Sequence, residues 1–393
     1  MRPTVYLDYN ATTPVDQRVL AAMMPWFTTH FGNVASRDHA FGWDAAEAVD
    51  EARDHVARLI NARSIDIIFT GSATESINLA LKGLALAPRS SEKVIITSPT
   101  EHEAVLETAH QLGRQRHQPV LFLPVDQQGH IVADVLEGRL STTPTLVVAL
   151  MYANNEIGTL HPIRSIAEIV HRFGALLFVD ATQAVGKIPV DVQRDGIDLM
   201  AFSVHKLHGP KGVGALYIRG GAKNLALEPL IVGGGQEGGL RSGTLNVPGI
   251  VGFGEACRIA REEMENDSMR VAHLRDTLEN AVLTHLENVK VHGDRVQRLP
   301  NTTNILFDGV DARTLIRDMH CIAVSTKSAC SSNKDGPSHV LKAIGLTDDE
   351  AYSSIRFSVG RFTTEDEIDF TIERVIASVT KLRKIHHSSA SLL

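Results

Sequence analysis

The chain has 393 residues, of which 43% are hydrophobic and 22% are charged. This is the composition of a globular protein with room for one large domain and a smaller one, and the net charge of −7 argues against a protein that coats nucleic acid. No apolar run approaches the roughly 18–20 residues of a membrane-spanning helix, and the N-terminus has no apolar signal-peptide core. We therefore expect a cytoplasmic protein with no direct contact to membrane or nucleic acid.

Short apolar strands alternate with helical patterns through the first half of the chain. Strands are predicted at residues 65–69, 93–97, 120–123, 146–150, 175–179, 199–202 and 213–218. Helices are predicted from about residue 74, from about residue 103 and over residues 163–173. This alternation predicts an α/β fold whose mostly parallel central sheet is flanked by helices.

The pattern changes at the glycine-rich residues 233–239. A long helix is predicted over about 250–286, followed by strands at 304–307, 321–325 and 355–358 that alternate with helices. We interpret this part as a second, smaller α/β domain. The predicted large domain spans 14–262, and residues 1–13 join 263–393 in a small domain that carries a loop at about 325–338.

Two charged residues stand where strands of the predicted sheet end. Asp180 directly follows the apolar residues of one strand. Lys206 comes shortly after the end of another strand, and Ser203 and His205 lie between that strand and the lysine. Ligands of α/β proteins bind at this carboxyl edge. A buried carboxylate there suits the protonated pyridine nitrogen of pyridoxal 5'-phosphate (PLP), and a lysine suits its covalent attachment. The alternatives are a helix N-cap for Asp180 and a solvated surface lysine.

Neighbouring residues extend this cofactor hypothesis. Lys211 is the local competitor of Lys206 for covalent attachment. Gln183 can reach the ring hydroxyl of the same cofactor. The turn 71–76 offers free backbone N–H groups at a helix N-terminus, together with hydroxyls, which suits a phosphate. His102 follows another strand and suits stacking on a planar ring and proton transfer, although a lone histidine is more often structural.

Arg356 and Cys330 are the candidates for substrate chemistry. Arg356 lies in an apolar strand pattern, where its planar guanidinium suits a carboxylate ligand, with a structural salt bridge as the alternative. Cys330 lies in a polar segment between two nearby lysines, which favour the reactive thiolate. Cys257 and Cys321 are expected to be inert. The three cysteines fit neither a disulfide framework nor a zinc site, and we expect no metal.

Asp180, Gln183, Lys206, His102 and Arg356 fall within a series of motifs that resembles the cysteine desulfurases of the IscS/NifS type in the class V aminotransferase family. In order, the motifs are YLDYNATTP at 6–14, FGN at 31–33, ATES at 73–76, EH at 101–102, NNEIG at 154–158, DATQ at 180–183, HK at 205–206, RSGT at 241–244 and SSIRFS at 353–358. The resemblance runs from about residue 4 to residue 383. It implies a homodimeric PLP enzyme of fold type I.

The resemblance also implies a role for each site residue. Lys206 carries the cofactor, Asp180 pairs with its ring nitrogen, His102 stacks on the ring and Gln183 contacts the ring oxygen. The phosphate is bound by Ala73, Thr74, Ser203 and His205, with Thr244 from the partner subunit. Arg356 and Asn154 bind the substrate carboxylate. Cys330 takes sulfur from L-cysteine as a persulfide, leaving L-alanine, and passes it to an acceptor protein.

The sequence departs from the family pattern in three places. Val204 stands where a small residue is common, and we expect it to add bulk near the phosphate. Gly71 and Ser72 stand in the reverse of the order that is usual in the family, and the chain continues only briefly beyond Arg383.

Iron–sulfur cluster assembly is the pathway that the resemblance to the family implies by default, with tRNA thiolation and DNA phosphorothioate modification as alternatives. A selenocysteine lyase or another class V PLP enzyme is the alternative activity; retention of the site residues argues against a non-catalytic scaffold.

Overall fold

The computed structural model describes residues 4–88, 90, 92–327 and 336–390, with side chains to residue 385. Within these ranges the strands are β1 (Val5–Tyr6), β2 (Ile67–Thr70), β3 (Val94–Thr97), β4 (Val120–Phe122), β5 (Thr145–Met151), β6 (Leu176–Asp180), β7 (Leu199–Ser203), β8 (Gly214–Ile218), β9 (Val289–Val291), β10 (Thr302–Phe307), β11 (Ile322–Ala323) and β12 (Ser354–Ser358). Cys330 lies outside the described residues.

The helices of the described residues alternate with these strands. They are α1 (Gln17–Met23), α2 (Pro25–Thr28), α3 (Ala40–Leu59), α4 (Ala73–Leu86), α5 (Glu103–Arg116), α6 (Ala133–Thr142), α7 (Ile163–Arg172), α8 (Val247–His285), α9 (Ala312–Asp318), α10 (His339–Ala343), α11 (Asp348–Tyr352) and α12 (Glu365–Ala390). Over the described residues, no helix combines the length and apolarity needed to cross a membrane.

Seven strands form the main sheet in the order β2-β8-β7-β6-β5-β3-β4. Strands β7, β6, β5, β3 and β4 are mutually parallel, whereas β8 is antiparallel to both of its neighbours. Strands β7 and β8 are buried along their whole length, which explains why they are apolar on both faces. The predicted α/β fold with a mostly parallel central sheet is confirmed. The first predicted strand begins later than expected because Ser64–Asp66 form a 3₁₀ helix.

A second group of strands lies beyond the main sheet. Strands β9, β10 and β12 form an antiparallel sheet, and β1 pairs in parallel with β11. Helix α8 links both parts, because Phe253 packs in the core of the main sheet and Leu278 packs in the core of the second group. The predicted boundary between 262 and 263 falls inside α8. The division into 14–262 and 1–13 with 263–393 stays a prediction.

Four chain segments reach the same edge of the main sheet. Strands β6 and β7 are parallel neighbours that end at Asp180 and Ser203. Strand β2 runs in the same direction, since two antiparallel pairings through β8 separate it from β7. Helix α4 therefore begins at this edge with Ala73, and α5 begins there with Glu103 after β3. The fold thus gathers two strand ends and two helix N-termini in one place.

His161 gives the fold a predictable acid sensitivity. It is 3% exposed, and neither of its ring nitrogens has a hydrogen-bond partner within the described part of the chain. Burial, with a smaller contribution from His130, lowers the pKa of His161 to about 4. The folded state therefore keeps His161 neutral. The resulting stability is present above the unfolded pKa of about 6.5 and is lost as pH falls toward 4.

A His161→Phe variant should lose less stability on acidification than the unsubstituted protein. Between pH 7.5 and pH 4.5 we expect its free energy of unfolding to fall by about 2–3 kcal/mol less. Urea unfolding at the two pH values measures this difference. An equal effect of the substitution at both pH values would show that His161 does not titrate on unfolding.

Candidate active site

A cavity of about 130 Å³ opens at the sheet edge where β6 and β7 end. Nine of the side chains predicted for the site line it, namely Ala73, Thr74, His102, Asp180, Gln183, Ser203, His205, Lys206 and Arg356. Asn10, Asn155 and Thr182 also line the cavity. Residues that are widely separated in the chain therefore meet at one concave site, as ligand-binding residues of α/β sheets do.

Asp180 ends β6 and lies at the cavity wall. Its residue is 5% exposed, and its Oδ1 atom accepts a hydrogen bond from the backbone N–H of Thr182 at 3.0 Å. The residues after Asp180 form turns rather than an α-helix, so the alternative of a helix N-cap does not apply. A buried carboxylate with one backbone donor has acceptor capacity left for a cationic or N–H group in the cavity.

Lys206 enters the cavity from a short 3₁₀ helix that follows β7. Its Nζ atom donates to the backbone carbonyl oxygens of Asn10 at 2.5 Å and Ala11 at 2.7 Å. These contacts hold the amine at the cavity wall. By contrast, Lys211 is exposed and does not line the cavity, so the structure favours Lys206 over Lys211 as the amine available to a bound ligand.

The N-terminus of α4 forms one end of the cavity. Ser72 is the N-cap of α4, and its Oγ atom accepts from the backbone N–H of Glu75 at 3.2 Å. A side chain at Gly214 would bring its Cβ within 2.5 Å of the Ser72 backbone, so glycine allows β8 to approach this turn closely. The helix N-terminus, with free backbone N–H groups and partial positive charge, suits a phosphate.

His205 and Val204 follow β7 beside Ser203, but only His205 lines the cavity. The Nδ1 atom of His205 lies 3.1 Å from Oγ1 of Thr12, and burial, followed by the charge of Lys206, lowers the pKa of His205 to about 4. His205 is thus a neutral hydrogen-bonding group near neutral pH. The side chain of Val204 is fully buried in the core of the main sheet, and it lies against the Gly209 backbone instead of lining the cavity. The expectation that Val204 adds bulk near the phosphate is therefore wrong.

His102 is the N-cap of α5 and lines the cavity beside Asp180. Its Nδ1 atom accepts from the backbone N–H of Ala104 at 3.1 Å, so the neutral ring carries its proton on Nε2. The preceding residue, Glu101, is fully buried. Burial, with a smaller contribution from Asp180, raises the pKa of Glu101 well above its usual range. Glu101 is accordingly held toward its neutral form behind the cavity wall.

Arg356 is both a cavity residue and a member of an ion pair. It is 1% exposed, its Nη2 atom lies 2.6 Å from Oδ1 of Asp8, and its Nη1 atom donates to the backbone oxygen of Asn155 at 2.9 Å. The Nε atom has no partner among the described residues. Arg356 can therefore both form a structural salt bridge and bind a carboxylate ligand, because Asp8 orients the guanidinium and leaves N–H donors for the ligand.

Asn154 and Thr244 do not line the cavity. The side chain of Asn154 is turned to the backbone: Oδ1 accepts from the N–H groups of Glu156 and Ile157, and Nδ2 donates to Thr100. Its neighbour Asn155 lines the cavity instead, so the geometry does not support a substrate contact by Asn154. Thr244 is exposed. Its predicted contact with the phosphate of a partner subunit stays a prediction.

Comparisons with known proteins show the family to which this chain belongs. Residues 5–370 match the aminotransferase class-V family. The chain belongs to this family. A cysteine desulfurase IscS of Klebsiella pneumoniae (strain 342) is 49% identical over 98% of this chain and 95% of its own length. The class V aminotransferase assignment and the resemblance to cysteine desulfurases are both confirmed.

Solved structures extend the comparison with this class V family. A NifS-like protein superposes with a TM-score of 0.88 and 37% identity, covering 96% of this chain and 99% of its own. SspA in complex with cysteine has a TM-score of 0.81 and 35% identity, covering 92% of this chain and all of its own. The predictions of a fold-type I architecture, a PLP-dependent enzyme and cysteine desulfurase activity are confirmed at the level of the family.

The cavity fits PLP, the cofactor of this family. It offers a lysine amine, a buried carboxylate and a helix N-terminus, which match the aldehyde, the ring nitrogen and the phosphate of PLP. The hydroxyl of Thr182 is buried at this wall and has no hydrogen-bond partner within the described ranges. Such an unsatisfied group is costly unless a ligand supplies its partner.

Besides Asn155 and Thr182, three polar residues that contact predicted site residues were not identified from the sequence. Asp8 and Asn10 lie inside the motif at 6–14, but nothing in its spacing shows that they contact Arg356 and Lys206. Lys187, four residues after Gln183, donates to Gln183 and gave no signal of its own. Asp8 and Asn10 act through contacts with distant parts of the chain, and Lys187 acts through its contact with Gln183.

Proposed function

We propose that this cysteine desulfurase converts L-cysteine to L-alanine and carries the removed sulfur as a persulfide on Cys330. The observation that supports this most is the meeting of Lys206, Asp180 and Arg356 in one cavity. These residues supply the attachment point, the ring-nitrogen partner and the carboxylate partner that a PLP enzyme acting on an amino acid requires.

PLP, when bound, supplies an electron sink that stabilises negative charge at the substrate Cα. Asp180 would hold the proton on the ring nitrogen, which this function requires. Gln183 would hydrogen-bond the ring oxygen, and Ala73, Thr74, Ser203 and His205 would bind the phosphate at the start of α4. His102 would stack on the ring, while its Nδ1 atom accepts from the backbone N–H of Ala104.

Proton transfer at the substrate is assigned to two side chains. The Nζ atom of Lys206 would take the proton from Cα, since Lys206 is the amine at the cavity wall. His102, which lines the same cavity, would donate and accept protons there. A positioned acid or base of this kind contributes roughly 10²–10⁴-fold to the rate.

Sulfur transfer is assigned to the thiolate of Cys330. The thiolate attacks the substrate sulfur, an S–S bond forms and the Cβ–S bond breaks. The electron pair of the broken bond stays with the carbon skeleton, which takes up a proton and leaves as L-alanine. Substrate cysteine and the Cys330 thiolate thus become L-alanine and a Cys330 persulfide, with atoms and charge balanced.

The described residues on both sides of Cys330 support its access to the cavity. Ser325 exchanges two backbone hydrogen bonds with the cavity residue Arg356, at 2.7 and 3.3 Å, and its Oγ atom donates to Asp8. On the other side, Nε2 of His339 lies 3.0 Å from the backbone oxygen of Glu101, next to His102. The chain therefore leaves and rejoins the described structure beside the cavity.

Arg356 is assigned to the carboxylate of L-cysteine, and this assignment can be tested by a charge-preserving substitution. Arg356→Lys should raise KM for L-cysteine by about 10- to 150-fold, the equivalent of ~1.5–3 kcal/mol for a charge-assisted hydrogen bond. Steady-state kinetics measure the change. Arg298→Lys is the matched control, because Arg298 is also a buried arginine paired with a carboxylate, Glu279, but lies outside the cavity. An unchanged KM in Arg356→Lys would leave Arg356 as a structural salt bridge only.

The dimer and the sulfur acceptor belong to the same proposal. A homodimer brings Thr244 of one subunit to the phosphate of the other. Exposed apolar side chains near the N-terminus suit a covered surface of this kind, namely Leu20, Met24, Phe27, Phe31, Phe41 and Trp43. The acceptor is a protein of iron–sulfur cluster assembly, and the site of action is the cytoplasm.

The direct test is product formation by the PLP-loaded protein. With L-cysteine and a thiol reductant we expect equal amounts of L-alanine and sulfide, and no L-alanine from PLP-free protein. L-Selenocysteine is the comparison substrate. L-Alanine from L-selenocysteine but not from L-cysteine would replace the proposal with a selenocysteine lyase, and no product from either would exclude both activities.

A further inference from the structure

A second lysine, Lys187, lies behind Lys206 and has no role in the chemistry described above. Its Nζ atom donates to Oε1 of Gln183 at 2.6 Å and to Oδ1 of Asn10 at 3.1 Å. It also lines a separate small cavity, which Lys206 lines as well. Both of its acceptors, Gln183 and Asn10, line the active-site cavity.

The environment of Lys187 is unusual for a lysine. Part of the residue remains exposed, but its amine is enclosed, and no carboxylate of the described residues lies within ion-pair distance. Enclosure, followed by the charges of Lys206 and Arg356, lowers the pKa of Lys187 well below its usual range. A buried amine without an acidic partner is costly and calls for a functional reason.

Lys187 fixes the orientation of the Gln183 amide. Oε1 of Gln183 accepts from Lys187, and Nε2 donates to the backbone oxygen of Asn10 at 3.0 Å. Both bonds require the same assignment of oxygen and nitrogen, because a lysine amine approaching at 2.6 Å needs an acceptor and a carbonyl oxygen needs a donor. The second N–H of Nε2 is then available to an acceptor in the cavity.

Asn10 connects the two lysines. Its backbone oxygen accepts from both Lys206 and Gln183, and its side-chain oxygen accepts from Lys187. The Asn10 amide nitrogen is itself fixed by Asn155 and Thr302. Asn10 therefore links Lys187 to Lys206 by hydrogen bonds.

We propose that Lys187 is a positioning residue of the cofactor site, which holds a Gln183 N–H toward the cofactor ring oxygen and disfavours protonation of the Lys206 nitrogen. A Gln183 N–H donor stabilises the ring oxygen as an anion without a proton shared from the lysine nitrogen, so it disfavours protonation of the Lys206 nitrogen. The inference rests on the proposed PLP site.

Other charged groups also face Lys206 and are the same in all variants below. On the substrate side they are Asp180 at the end of β6, His102 at the start of α5, Arg356 on β12 and His205 beside Lys206 itself. On the side of the second cavity they are Tyr9, His208, Asp267 and Arg361. A shift of the titration midpoint caused by a Lys187 substitution therefore does not come from a substitution of any of these groups.

The test is a pH titration of the visible absorbance of lysine-bound PLP. Lys187→Met keeps the length of the side chain and removes the amine, and it should raise the midpoint of the titration by about one pH unit. Lys187→Gln keeps an N–H donor and should give a smaller shift in the same direction. Lys290→Met, on the exposed face of β9, is the control with an unchanged midpoint.

The outcomes separate this inference from the proposed function. An unchanged or lowered midpoint in Lys187→Met, with wild-type absorbance present, overturns the role of Lys187 alone. If Lys187→Met does not retain PLP, the same criterion applies to Lys187→Gln. Absence of lysine-bound PLP in the wild-type protein would overturn the proposed site as a whole. A residue with a purely structural role would lower thermal stability without moving the midpoint.

Discussion

Lys206→Ala is expected to abolish covalent attachment of PLP and to lower kcat/KM for L-cysteine by about 10⁴-fold or more. The substitution removes both the attachment point and the base assigned to the substrate Cα. Asp180 and the N-terminus of α4 remain, so PLP should still bind without a covalent link. Borohydride reduction followed by peptide mass spectrometry measures the attachment, and product assays measure the rate.

Lys211→Ala is the matched control for this experiment. Lys211 lies five residues after Lys206, is exposed and does not line the cavity. We expect it to leave both the reducible adduct and the rate close to those of the wild type. A reducible PLP adduct that persists in Lys206→Ala, and disappears in Lys211→Ala, would reverse the assignment of the two lysines.

Cys330→Ser should separate cofactor binding from sulfur transfer. The substitution replaces a sulfur nucleophile by a hydroxyl that is not ionised near neutral pH, so sulfide release should fall to the background level. Absorbance of lysine-bound PLP should be unchanged, because none of the residues assigned to the cofactor is altered. Sulfide assays with L-cysteine and absorbance spectra measure the two properties on one sample.

The other two cysteines supply the controls. Cys257 is fully buried in the core, and burial raises the pKa of its thiol well above the usual range, so it is held as an unreactive thiol. Cys321 lies next to β11, away from the cavity wall. Cys257→Ala and Cys321→Ser should retain sulfide release. If Cys330→Ser releases sulfide at the wild-type rate, Cys330 has no place in the mechanism.

The sequence predicted the main sheet and most of the cavity because their signals are local. A buried strand is a continuous apolar run, and a charged residue directly after it reaches the sheet edge, as Asp180 does at the end of β6 and Lys206 does after β7. The start of α4 was predictable for the same reason. Each of these predictions needs only the residues on either side.

The remaining contacts depend on how distant segments pack. Asp8 and Arg356 are 348 positions apart, and their ion pair follows from the placement of the N-terminal segment beside β12. The choice between Asn154 and Asn155 depends on backbone direction in a turn, which decides whether a side chain meets the cavity or the backbone. Val204 illustrates the same point, since its side chain faces the core although its neighbours line the cavity. Spacing along the chain does not determine any of these directions.

The most direct test of the account is mass spectrometry of the PLP-loaded protein after incubation with L-cysteine in the absence of reductant. We predict a gain of one sulfur atom on the peptide that contains Cys330, together with one equivalent of L-alanine. L-Alanine with no added sulfur on Cys330, or sulfur added at another cysteine, would contradict it.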